Sequence, residues 1–310
     1  MKILITGGCG HIGSYFIENL FKIKKIKKAI VVDNFMSNGI HSLFNTKKKN
    51  KIDFYVKDLN DPKSLDQFKN INIIFHLASM TNAEKSFAKK KEMFANNLNC
   101  FNTVIKYCEK NKTKLVHISS TSVYGKNSNL IDEKCEKKYL KPQSPYAKIK
   151  LIEEKILSKN KLITYNTFRF GTIAGVSKGM RFHTAVNSFC LSAALNEKIK
   201  VYKTALHQFR PYLSLNDTFK LFKFCIEKNF FENDIFNIVS NNFTVKEIIK
   251  KIKKIKKNIK ITYVDSPIMN KLSYHVDNQK IRNKGLYLNS NLNYEIASTI
   301  KLLNNIKHEM

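Results

Sequence analysis

The chain has 310 residues and a mass of 36.0 kDa, which is the size of about two average domains and enough to bury a sizeable core. Hydrophobic residues make up 43% of it, with only 5 Pro and 10 Gly, a composition that excludes a disordered chain or a disulfide-stapled peptide. Lys and Arg number 55 against 24 Asp and Glu, so the formal net charge is +31.

Lysine carries almost all of this positive charge, because the arginines are only Arg169, Arg181, Arg210 and Arg282. The chain is also rich in Asn and Ile, a combined bias that indicates a genome rich in A and T more than selection for phosphate binding. We therefore favour a solvated lysine surface over polynucleotide binding and expect no specific nucleic-acid partner. The same charge would still attract an anionic small substrate.

Cysteine spacing and the N-terminus bear on metal binding and location. The six cysteines form no CxxC pair and no metal-ligand spacing with the histidines, so we expect free thiols and no metal. The N-terminus enters an apolar strand directly, without the pattern of a signal peptide, and no apolar run reaches the ~18 residues of a membrane span. These features predict a cytoplasmic protein that does not cross a membrane.

Short apolar runs rich in β-branched residues alternate with helical patterns in the first half, which predicts βαβ units on a parallel sheet. These predicted strands are Lys2–Thr6, Ala29–Val32, Phe54–Val56, Ile73–Leu77, Leu115–Ser119 and Ile163–Phe170. Longer helical patterns follow, at Val186–Leu195, Thr218–Lys228 and Val245–Ile259. We expect an α/β protein with a Rossmann-type, doubly wound sheet over residues 1–168. A smaller substrate-binding domain should cover residues 169–310, with return segments on the first domain.

The first predicted strand ends in a glycine-rich turn, in which Gly7, Gly10 and Gly13 have GxxGxxG spacing. Glycine permits a tight turn and a close approach to a pyrophosphate, and the next helix offers N–H groups at its N-terminus. We therefore assign these glycines, with His11 and Ile12, to a dinucleotide cofactor. Taken alone, the motif also fits an ordinary glycine-rich turn.

Asp33 ends the second predicted strand, twenty residues after Gly13, where a carboxylate accepts hydrogen bonds from an adenosine ribose. Because it also repels a 2′-phosphate, the sequence predicts NAD over NADP, with a helix-capping or turn Asp as the alternative. Asp58, after the third strand, is a candidate adenine contact. The other predicted cofactor contacts, at strand ends or next to these acids, are Asn34, Leu59, Leu77, Ala78 and Ser79.

Tyr146 and Lys150 form a YxxxK pair on a predicted helix. Four residues are about one helical turn, so the two side chains share a face, and an ammonium beside a phenol lowers the pKa of the phenol. Such a phenol is a suitable general base for an alcohol. An exposed helix face with one aromatic anchor is the alternative. Hydroxyls that follow the fifth strand, beginning with Ser119 and Ser120, would lie beside the nicotinamide end of the cofactor.

Together these residues resemble the extended short-chain dehydrogenase/reductase family, and within it the NAD-dependent nucleotide-sugar epimerases and dehydratases, such as UDP-glucose 4-epimerase. The resemblance spans essentially the whole chain. Beyond the glycine motif and Asp33, it rests on His76-Leu77-Ala78, Ser119-Ser120, Val123-Tyr124-Gly125, Ser144-Pro145-Tyr146-Ala147-Lys148 with Lys150, Phe168-Arg169-Phe170, Phe209-Arg210-Pro211 with Asp217, and Ser273-Tyr274 with Asp277 and Lys280.

The resemblance also implies roles for individual residues. Ser120, Tyr146 and Lys150 match the catalytic hydroxyl, the base and its partner, and Tyr146 and Lys150 also touch the cofactor. Arg210 and Asn187 match residues that bind the diphosphate of a nucleotide sugar, with Ser120 as a further substrate contact. The segment Met180-Arg181-Phe182 is similar to a subgroup of sugar-4-oxidising members, which makes Arg181 a substrate residue. His183 departs from this subgroup, where an acidic residue usually follows the Phe.

The residues after Ser120 bear on the reaction. In the family, 4,6-dehydratases have an Asp-Glu pair there and decarboxylases a Glu, whereas this chain has Thr121 and Ser122, which disfavours both reactions. We expect an NAD-dependent epimerase that acts at C4 of a nucleotide-diphosphate sugar and forms a homodimer, with net oxidation as the alternative. Family members that have lost catalysis sense NAD or bind RNA, but the presence of Ser120, Tyr146 and Lys150 argues against such a role.

Overall fold

The structure is a computed structural model that describes residues 1–37, 39–44, 46, 49–82, 86–125, 130–265 and 273–304. Its strands are β1 (Lys2–Thr6), β2 (Lys28–Asp33), β3 (Ile52–Val56), β4 (Ile73–His76), β5 (Lys114–Ser120), β6 (Leu130–Ile131), β7 (Tyr165–Phe170), β8 (Thr172–Ala174), β9 (Lys198–Tyr202), β10 (Phe209–Ser214), β11 (Asp234–Ile238), β12 (Asn241–Thr244), β13 (Lys260–Val264) and β14 (His275–Val276). Its helices are α1 (His11–Asn19), α2 (Lys90–Asn111), α3 (Pro145–Lys159), α4 (Ala185–Ala194), α5 (Leu215–Glu227), α6 (Val245–Ile255), α7 (Gln279–Arg282) and α8 (Leu292–Leu303).

Within these residues, seven strands form one parallel sheet in the order β3-β2-β1-β4-β5-β7-β11. The strand order reverses between the parallel neighbours β1 and β4: the chain adds β2 and β3 on the β1 side, and β5, β7 and β11 on the β4 side. Ligands of doubly wound sheets bind beyond the carboxyl ends of the strands at such a reversal. The doubly wound fold predicted from the sequence is therefore confirmed, and its topology places the site at the ends of β1, β4 and β5.

Both faces of the sheet are covered, which explains why strands such as β1 and β2 consist mainly of buried apolar residues. On one face, Phe16 of α1, Phe75 of β4 and Phe222 of α5 form a ring cluster with centroid separations of 4.8 to 5.0 Å. On the other face, Phe101 of α2 and Leu157 of α3 belong to a second buried cluster. Helices thus sandwich the sheet, with α1 and α5 on one side and α2 and α3 on the other.

The second half of the chain contributes both to the large sheet and to a smaller, separate core. Strand β11 extends the large sheet beside β7, and α5 packs on α1. A smaller core lies among α4, α6, α8 and β9. The boundary predicted between residues 168 and 169 falls within β7, and the division into two domains stays a prediction.

Helix α6 differs in length from its prediction. It begins with a capping box formed by Thr244 and Glu247, and Ile248 and Ile252 are fully buried on its apolar face. The helix ends at Ile255, so the predicted end at Ile259 is wrong. Lys256 leaves the helix in an extended conformation, and the chain then enters β13 at Lys260.

None of the helices in the described ranges is long and apolar enough to cross a membrane.

Candidate active site

The glycine turn brings the end of β1 close to the end of β4. Gly7 has φ +66°, and a Cβ at this position would lie 2.6 Å from Ala78 N, so only glycine fits. A Cβ at Gly13 would lie 2.5 Å from Gly7 O, which fixes the packing of α1 on the turn. Gly10 precedes α1 and supplies no side-chain cap, so the first N–H groups of the helix are open to an anion.

Asp33 ends β2 with both carboxylate oxygens engaged by the backbone. Cys9 N donates to Oδ2 at 2.9 Å, and Phe35 N donates to Oδ1 at 2.8 Å. The first of these bonds joins Asp33 to the glycine turn. Asn34 lies next to it in a turn of its own, with its side-chain oxygen accepting from Met36 N at 3.1 Å. The carboxylate is thus held at the edge of the glycine turn, and its role as a ribose ligand stays a prediction.

Thr6 organises the end of β4, a role that the sequence alone did not reveal. Its hydroxyl oxygen accepts from Leu77 N and from Ala78 N, each at 3.2 Å, and lies 2.8 Å from His76 Nδ1. These bonds hold Leu77 and Ala78 directly against Gly7, with the half-buried Ser79 next along the chain. The structure therefore brings this predicted cofactor segment next to the glycine turn.

Asp58 and Leu59 occupy the next strand end, after β3. Asp58 is exposed, and its Oδ1 accepts from the backbone and side-chain nitrogens of Asn60, both at 2.9 Å. Leu59 is buried, and its carbonyl oxygen accepts from Thr103 Oγ1 at 2.8 Å. Asp58 thus stands beside the end of β2 in a fixed turn, whereas the Leu59 side chain belongs to the core. A role for Leu59 toward the cofactor is limited to its backbone.

Residues 175–181, which we call the covering segment, pass over the glycine turn from the second half of the chain. His11 Nε2 donates to Gly175 O at 2.8 Å, and Ser177 Oγ donates to His11 O at 2.8 Å. Gly179 N donates to Ser14 Oγ at 2.8 Å, and a Cβ at Gly179 would clash with Gly10 O. Burial lowers the pKa of His11 to about 4, so His11 is neutral and serves as a hydrogen-bond donor to the covering segment.

Arg181 ends the covering segment and reaches across the glycine turn. Its Nη1 donates to Thr81 Oγ1 at 3.0 Å and its Nη2 to Ser37 Oγ at 3.2 Å. A Cβ built on Gly10 would lie 3.5 Å from Nη2. The resemblance implied a substrate residue, but the structure places this guanidinium in front of the N-terminus of α1. A positive side chain and the N-terminal N–H groups of α1 both attract negative charge, so together they would suit a bound diphosphate.

Ser120 ends β5 and caps the short 3₁₀ turn Thr121–Val123. Its hydroxyl oxygen accepts from Ser122 N at 3.1 Å and from Ser122 Oγ at 2.8 Å. Because a hydroxyl oxygen has two acceptor positions and one proton, its O–H group is left to act as a donor. Thr121 Oγ1 donates to Phe170 O at 3.2 Å. Ser120 is therefore oriented as a hydrogen-bond donor at the end of a central strand.

Tyr146 and Lys150 lie on α3, which packs against the 3₁₀ turn after Ser120. The helix begins at Pro145 after Ser144, whose hydroxyl accepts from Ala147 N at 3.2 Å, so both cap and proline fix its start. Lys150 Nζ lies 5.9 Å from the centre of the Tyr146 ring. The predicted pair thus shares one face of the helix, at the carboxyl edge of the sheet.

The pKa of Tyr146 reflects burial as well as the charge of Lys150 that the sequence predicted. Burial raises the pKa of Tyr146 and outweighs the positive charges of Lys150 and Arg181, which lower it, while Glu153 raises it further. The predicted lowering by Lys150 is therefore present, but in the protein alone burial outweighs it. Lys150 is itself buried, and although burial lowers its pKa, Glu153 and Tyr146 raise it above the usual value, so it stays charged. A further positive charge near the ring is needed to favour phenolate.

A buried ion pair supports the Ser120 turn from below. Arg169 Nε and Nη2 donate to the two carboxylate oxygens of Glu154 at 2.9 and 2.6 Å, and Arg169 Nη1 donates to Tyr124 OH at 2.7 Å. Ser119 Oγ donates to Glu154 Oε1 at 2.6 Å, and Tyr124 OH donates to Asn237 Oδ1 at 2.9 Å. Satisfied bidentate pairs of this kind hold their elements rigidly. This network ties α3, β5, β7 and β11 together.

Arg210 and Asn187 lie in the second half of the chain, and each has a buried polar atom without a partner among the described residues. For Arg210 this atom is Nη1, whereas Nη2 donates to Gln208 Oε1 at 3.1 Å and the guanidinium lies 5.8 Å from the Tyr274 ring centre. For Asn187 it is Oδ1, whereas Nδ2 donates to Arg181 O at 3.0 Å. Unpaired buried polar atoms are costly, so both residues stay candidates for a ligand contact.

Metal binding has no support in the described part of the chain, where no group of three or more His, Cys, Asp and Glu side chains is placed to hold an ion. The cysteines described there are free.

The doubly wound fold and the groups at its strand ends are those of a dinucleotide-binding protein of the extended short-chain dehydrogenase/reductase type. Comparison with known families agrees: residues 3–239 match the NAD dependent epimerase/dehydratase family, and the chain belongs to it. The family is NAD-dependent, and NAD is the cofactor. The open N-terminus of α1, Arg181 in front of it and Asp33 beside it fit this dinucleotide.

Relatives within the family catalyse more than one reaction. The chain is 28% identical over 272 residues to a dTDP-D-glucose 4,6-dehydratase of Dictyostelium discoideum, covering 80% of this chain and 61% of that protein. It is 29% identical over 198 residues to the uncharacterized UDP-glucose epimerase YtcB of Bacillus subtilis, covering 60% of this chain and 61% of that protein. The chain thus spans about three-fifths of the length of these curated relatives.

Among solved structures, the fold is similar to UDP-glucuronic acid 4-epimerase of Bacillus cereus in complex with UDP-glucuronic acid and NAD. The TM-score is 0.85 at 22% identity, and the match covers 98% of this chain and 99% of the other. At this identity the similarity concerns the fold.

Proposed function

We propose that the protein is an NAD-dependent epimerase that acts at C4 of a nucleotide-diphosphate sugar. The observation that carries this proposal is the arrangement at the end of β5. There the Ser120 hydroxyl is oriented as a donor, next to the helix that presents Tyr146 and Lys150. A donor and a potential base around one oxygen are what the reversible oxidation of a secondary alcohol requires.

The roles of the chain's own residues follow from this arrangement. Tyr146, as phenolate, takes the proton of the sugar hydroxyl, and Ser120 donates a hydrogen bond to the same oxygen while it becomes a carbonyl. Lys150 holds positive charge behind the Tyr146 ring and binds the cofactor ribose. When bound, NAD supplies the hydride acceptor, a positively charged ring beside the phenol and, once reduced, the hydride donor. Tyr146 would return the proton to the same oxygen when the carbonyl is reduced from its opposite face, which gives the epimer.

Substrate and cofactor are assigned to different groups. The unpartnered Arg210 Nη1 and Asn187 Oδ1 suit a nucleotide-sugar ligand, with Arg210 on its diphosphate. Arg181 is better assigned to the diphosphate of the cofactor, because it lies in front of the Gly10 turn and the start of α1.

Epimerisation is preferred over dehydration because the first positions after Ser120 are Thr121 and Ser122. Elimination of a sugar hydroxyl needs an acid to protonate the leaving group and a base for the carbon proton. The Thr121 hydroxyl is engaged with Phe170 O, and Ser122 with Ser120, so neither supplies that chemistry. Net oxidation uses the same residues as epimerisation and differs only in the release of the keto sugar.

The test is to incubate the purified protein with NAD and a panel of UDP-, GDP-, dTDP- and CDP-sugars, and to identify products by NMR. An epimer formed without net accumulation of NADH supports the proposal. A keto sugar formed together with stoichiometric NADH would replace it with net oxidation, and a 4-keto-6-deoxy sugar with dehydration. The Tyr146→Phe variant, mixed with the same substrates, is the control for a contaminating activity.

A further inference from the structure

A buried carboxylate contacts the lysine of the proposed site on the side away from solvent. Lys150 Nζ donates to Glu153 Oε2 at 2.9 Å, and the two side chains are 4% and 1% exposed. Tyr146, Lys150 and Glu153 are separated by four and three residues along α3, so they follow one face of the helix. The charge that Tyr146 experiences is therefore that of an ion pair and not that of a free ammonium.

His117 of β5 holds the same carboxylate oxygen from the sheet. Its Nε2 lies 2.9 Å from Glu153 Oε2, and its Nδ1 lies 3.1 Å from Thr167 Oγ1. Burial lowers the pKa of His117, so the ring is neutral, and since a carboxylate only accepts, Nε2 carries the proton. Nδ1 then accepts from the Thr167 hydroxyl. Glu153 Oε2 is thus fixed by two donors, one from α3 and one from the sheet.

Among the other titratable groups near Glu153, His76 and Cys100 are uncharged at neutral pH, whereas the adjacent Glu154 is charged and paired with Arg169. Burial lowers the pKa of His76 on β4 to about 3 and raises the pKa of Cys100 on α2 to about 12. For Glu153 itself, burial alone would raise the pKa, but Lys150 and His117 together lower it to about 2. The carboxylate is therefore ionised throughout the working range, and it is the buried negative charge in direct contact with Lys150.

We propose that Glu153 is a positioning residue that acts through Lys150: it tethers the ammonium below the Tyr146 ring and offsets part of its positive charge there. This proposal rests on the proposed function only in treating Tyr146 as the base. Its consequence is that Glu153 adds to burial in keeping the phenol protonated until further positive charge arrives with the cofactor. Removing the negative charge at Glu153 while keeping its shape should make Tyr146 easier to ionise.

The test is Glu153→Gln, with the ionisation of Tyr146 followed by ultraviolet absorbance as pH is raised. The chain has 13 tyrosines, so the signal of Tyr146 is obtained by subtracting the titration of the matching protein that also carries Tyr146→Phe. We expect the midpoint for Tyr146 to move to lower pH by about one unit or more, the usual effect of one neighbouring charge. A midpoint that stays in place or moves to higher pH would overturn the proposal.

Glu154→Gln is the matched control, because Glu154 is the adjacent buried carboxylate on α3 and pairs with Arg169 and Ser119. It should lower stability while moving the Tyr146 midpoint much less than Glu153→Gln does. If Glu153→Gln does not fold, Glu153→Asp retains the charge but withdraws it from Lys150 by one methylene. A smaller shift of the same sign is expected in that variant, and an unshifted midpoint contradicts the proposal.

The absorbance titration needs no turnover, which separates this proposal from the proposed function. If Tyr146→Phe retains turnover, the assignment of Tyr146 as base fails, whatever the titration shows. If Tyr146→Phe is inactive and the midpoint does not respond to Glu153, only the role of Glu153 fails.

Discussion

The carboxylate of Asp33 is joined to the glycine turn by the hydrogen bond from Cys9 N to Oδ2, at 2.9 Å. With Oδ1 held by Phe35 N, the group is fixed before any ligand arrives. A fixed carboxylate can accept from the ribose hydroxyls of NAD, but it meets the 2′-phosphate of NADP with charge repulsion. The backbone thus prepares a preference between the two cofactors.

The first prediction is that NAD binds at least about tenfold more tightly than NADP, and that Asp33→Asn reduces this ratio. The variant loses the charge, and its amide nitrogen faces one of the two backbone N–H groups, so NAD affinity should also fall. Calorimetric titration of the protein with NAD and with NADP measures the ratio of the two affinities. Asp53→Asn, on the neighbouring strand in a partly exposed pair with Lys28, should leave both affinities unchanged. Equal affinities in the unaltered protein would remove Asp33 from the ribose site.

The second prediction concerns Arg210, whose buried Nη1 has no partner in the described ranges. Arg210→Gln should weaken the binding of UDP by about tenfold or more, because charge-assisted hydrogen bonds contribute about 1.5–3 kcal/mol. Its Tm should not fall, since an unpaired buried charge destabilises the fold without ligand. Calorimetric titration with UDP measures the affinity, and Arg282→Gln, which changes an exposed arginine, is the control. Undiminished affinity for UDP would place the diphosphate elsewhere.

The third prediction is a loss of stability in mild acid. Burial lowers the pKa of His11 to about 4 and that of His76 to about 3, whereas an unfolded histidine binds a proton near pH ~6.5. Between these values the unfolded chain binds more protons, so the free energy of unfolding decreases as pH falls below about 6.5. It should be insensitive to these two groups above about pH 7.5.

Thermal unfolding at a series of pH values measures this effect, in which each unit of pKa difference contributes about 1.4 kcal/mol. His76→Asn, which keeps a polar atom near the Thr6 hydroxyl, should flatten the dependence between pH 6.5 and 4 relative to the unaltered protein. His207→Asn changes an exposed residue and should leave the slope as it was. A Tm that is constant down to pH 4 would contradict the neutral, buried state of His11 and His76.

Local sequence patterns were sufficient for the parallel sheet and for the groups at its edge. The runs that became β1, β2, β4 and β5 are apolar because both faces of the sheet are buried, and this property is visible in the sequence itself. Gly7 could be predicted because a strand, a tight turn and a helix follow each other directly. The Tyr146 and Lys150 pair could be predicted because helical spacing alone puts both on one face.

Features that depend on distant contacts could not be predicted in the same way. The covering segment meets the glycine turn across more than 160 residues of sequence, through bonds such as His11 to Gly175. The direction of the Tyr146 pKa depends on burial, which outweighs the visible charge of Lys150. Glu153 carried a usable signal, since it follows Lys150 by three residues, but its ionic contact also needs His117 from another strand.

The fourth prediction separates the hydroxyl of Ser120 from its role as a cap. Ser120→Ala removes the donor and the acceptor for Ser122 N, and should reduce turnover by about 10²-fold, the usual effect of one donor to a developing charge. Ser120→Thr keeps the hydroxyl and should retain most of the activity. Steady-state kinetics of both variants on the identified substrate measures the difference. If Ser120→Thr were as inactive as Ser120→Ala, the hydroxyl would not explain the loss.

The last prediction concerns Tyr146 itself. Tyr146→Phe removes the group that accepts the substrate proton while keeping the ring on α3, so turnover should fall by about 10²-fold or more. Folding and NAD affinity should survive, as measured by Tm and by titration with NAD. Lys150→Ala should differ by losing both turnover and NAD affinity, and by lowering the Tm, because it leaves the Glu153 carboxylate buried without its cation.

The pH dependence of activity supplies the second half of this test. Burial raises the pKa of Tyr146 in the protein alone, so an ionisation in kcat/KM below the ~10 of free tyrosine requires the positive charges that surround the ring in the complex with NAD. That ionisation should be absent from the residual activity of Tyr146→Phe. If Tyr146→Phe kept near-normal turnover on the true substrate, or retained the same pH profile, the proton would be accepted by another group, and Tyr146 would serve only to pack α3 against the turn after Ser120.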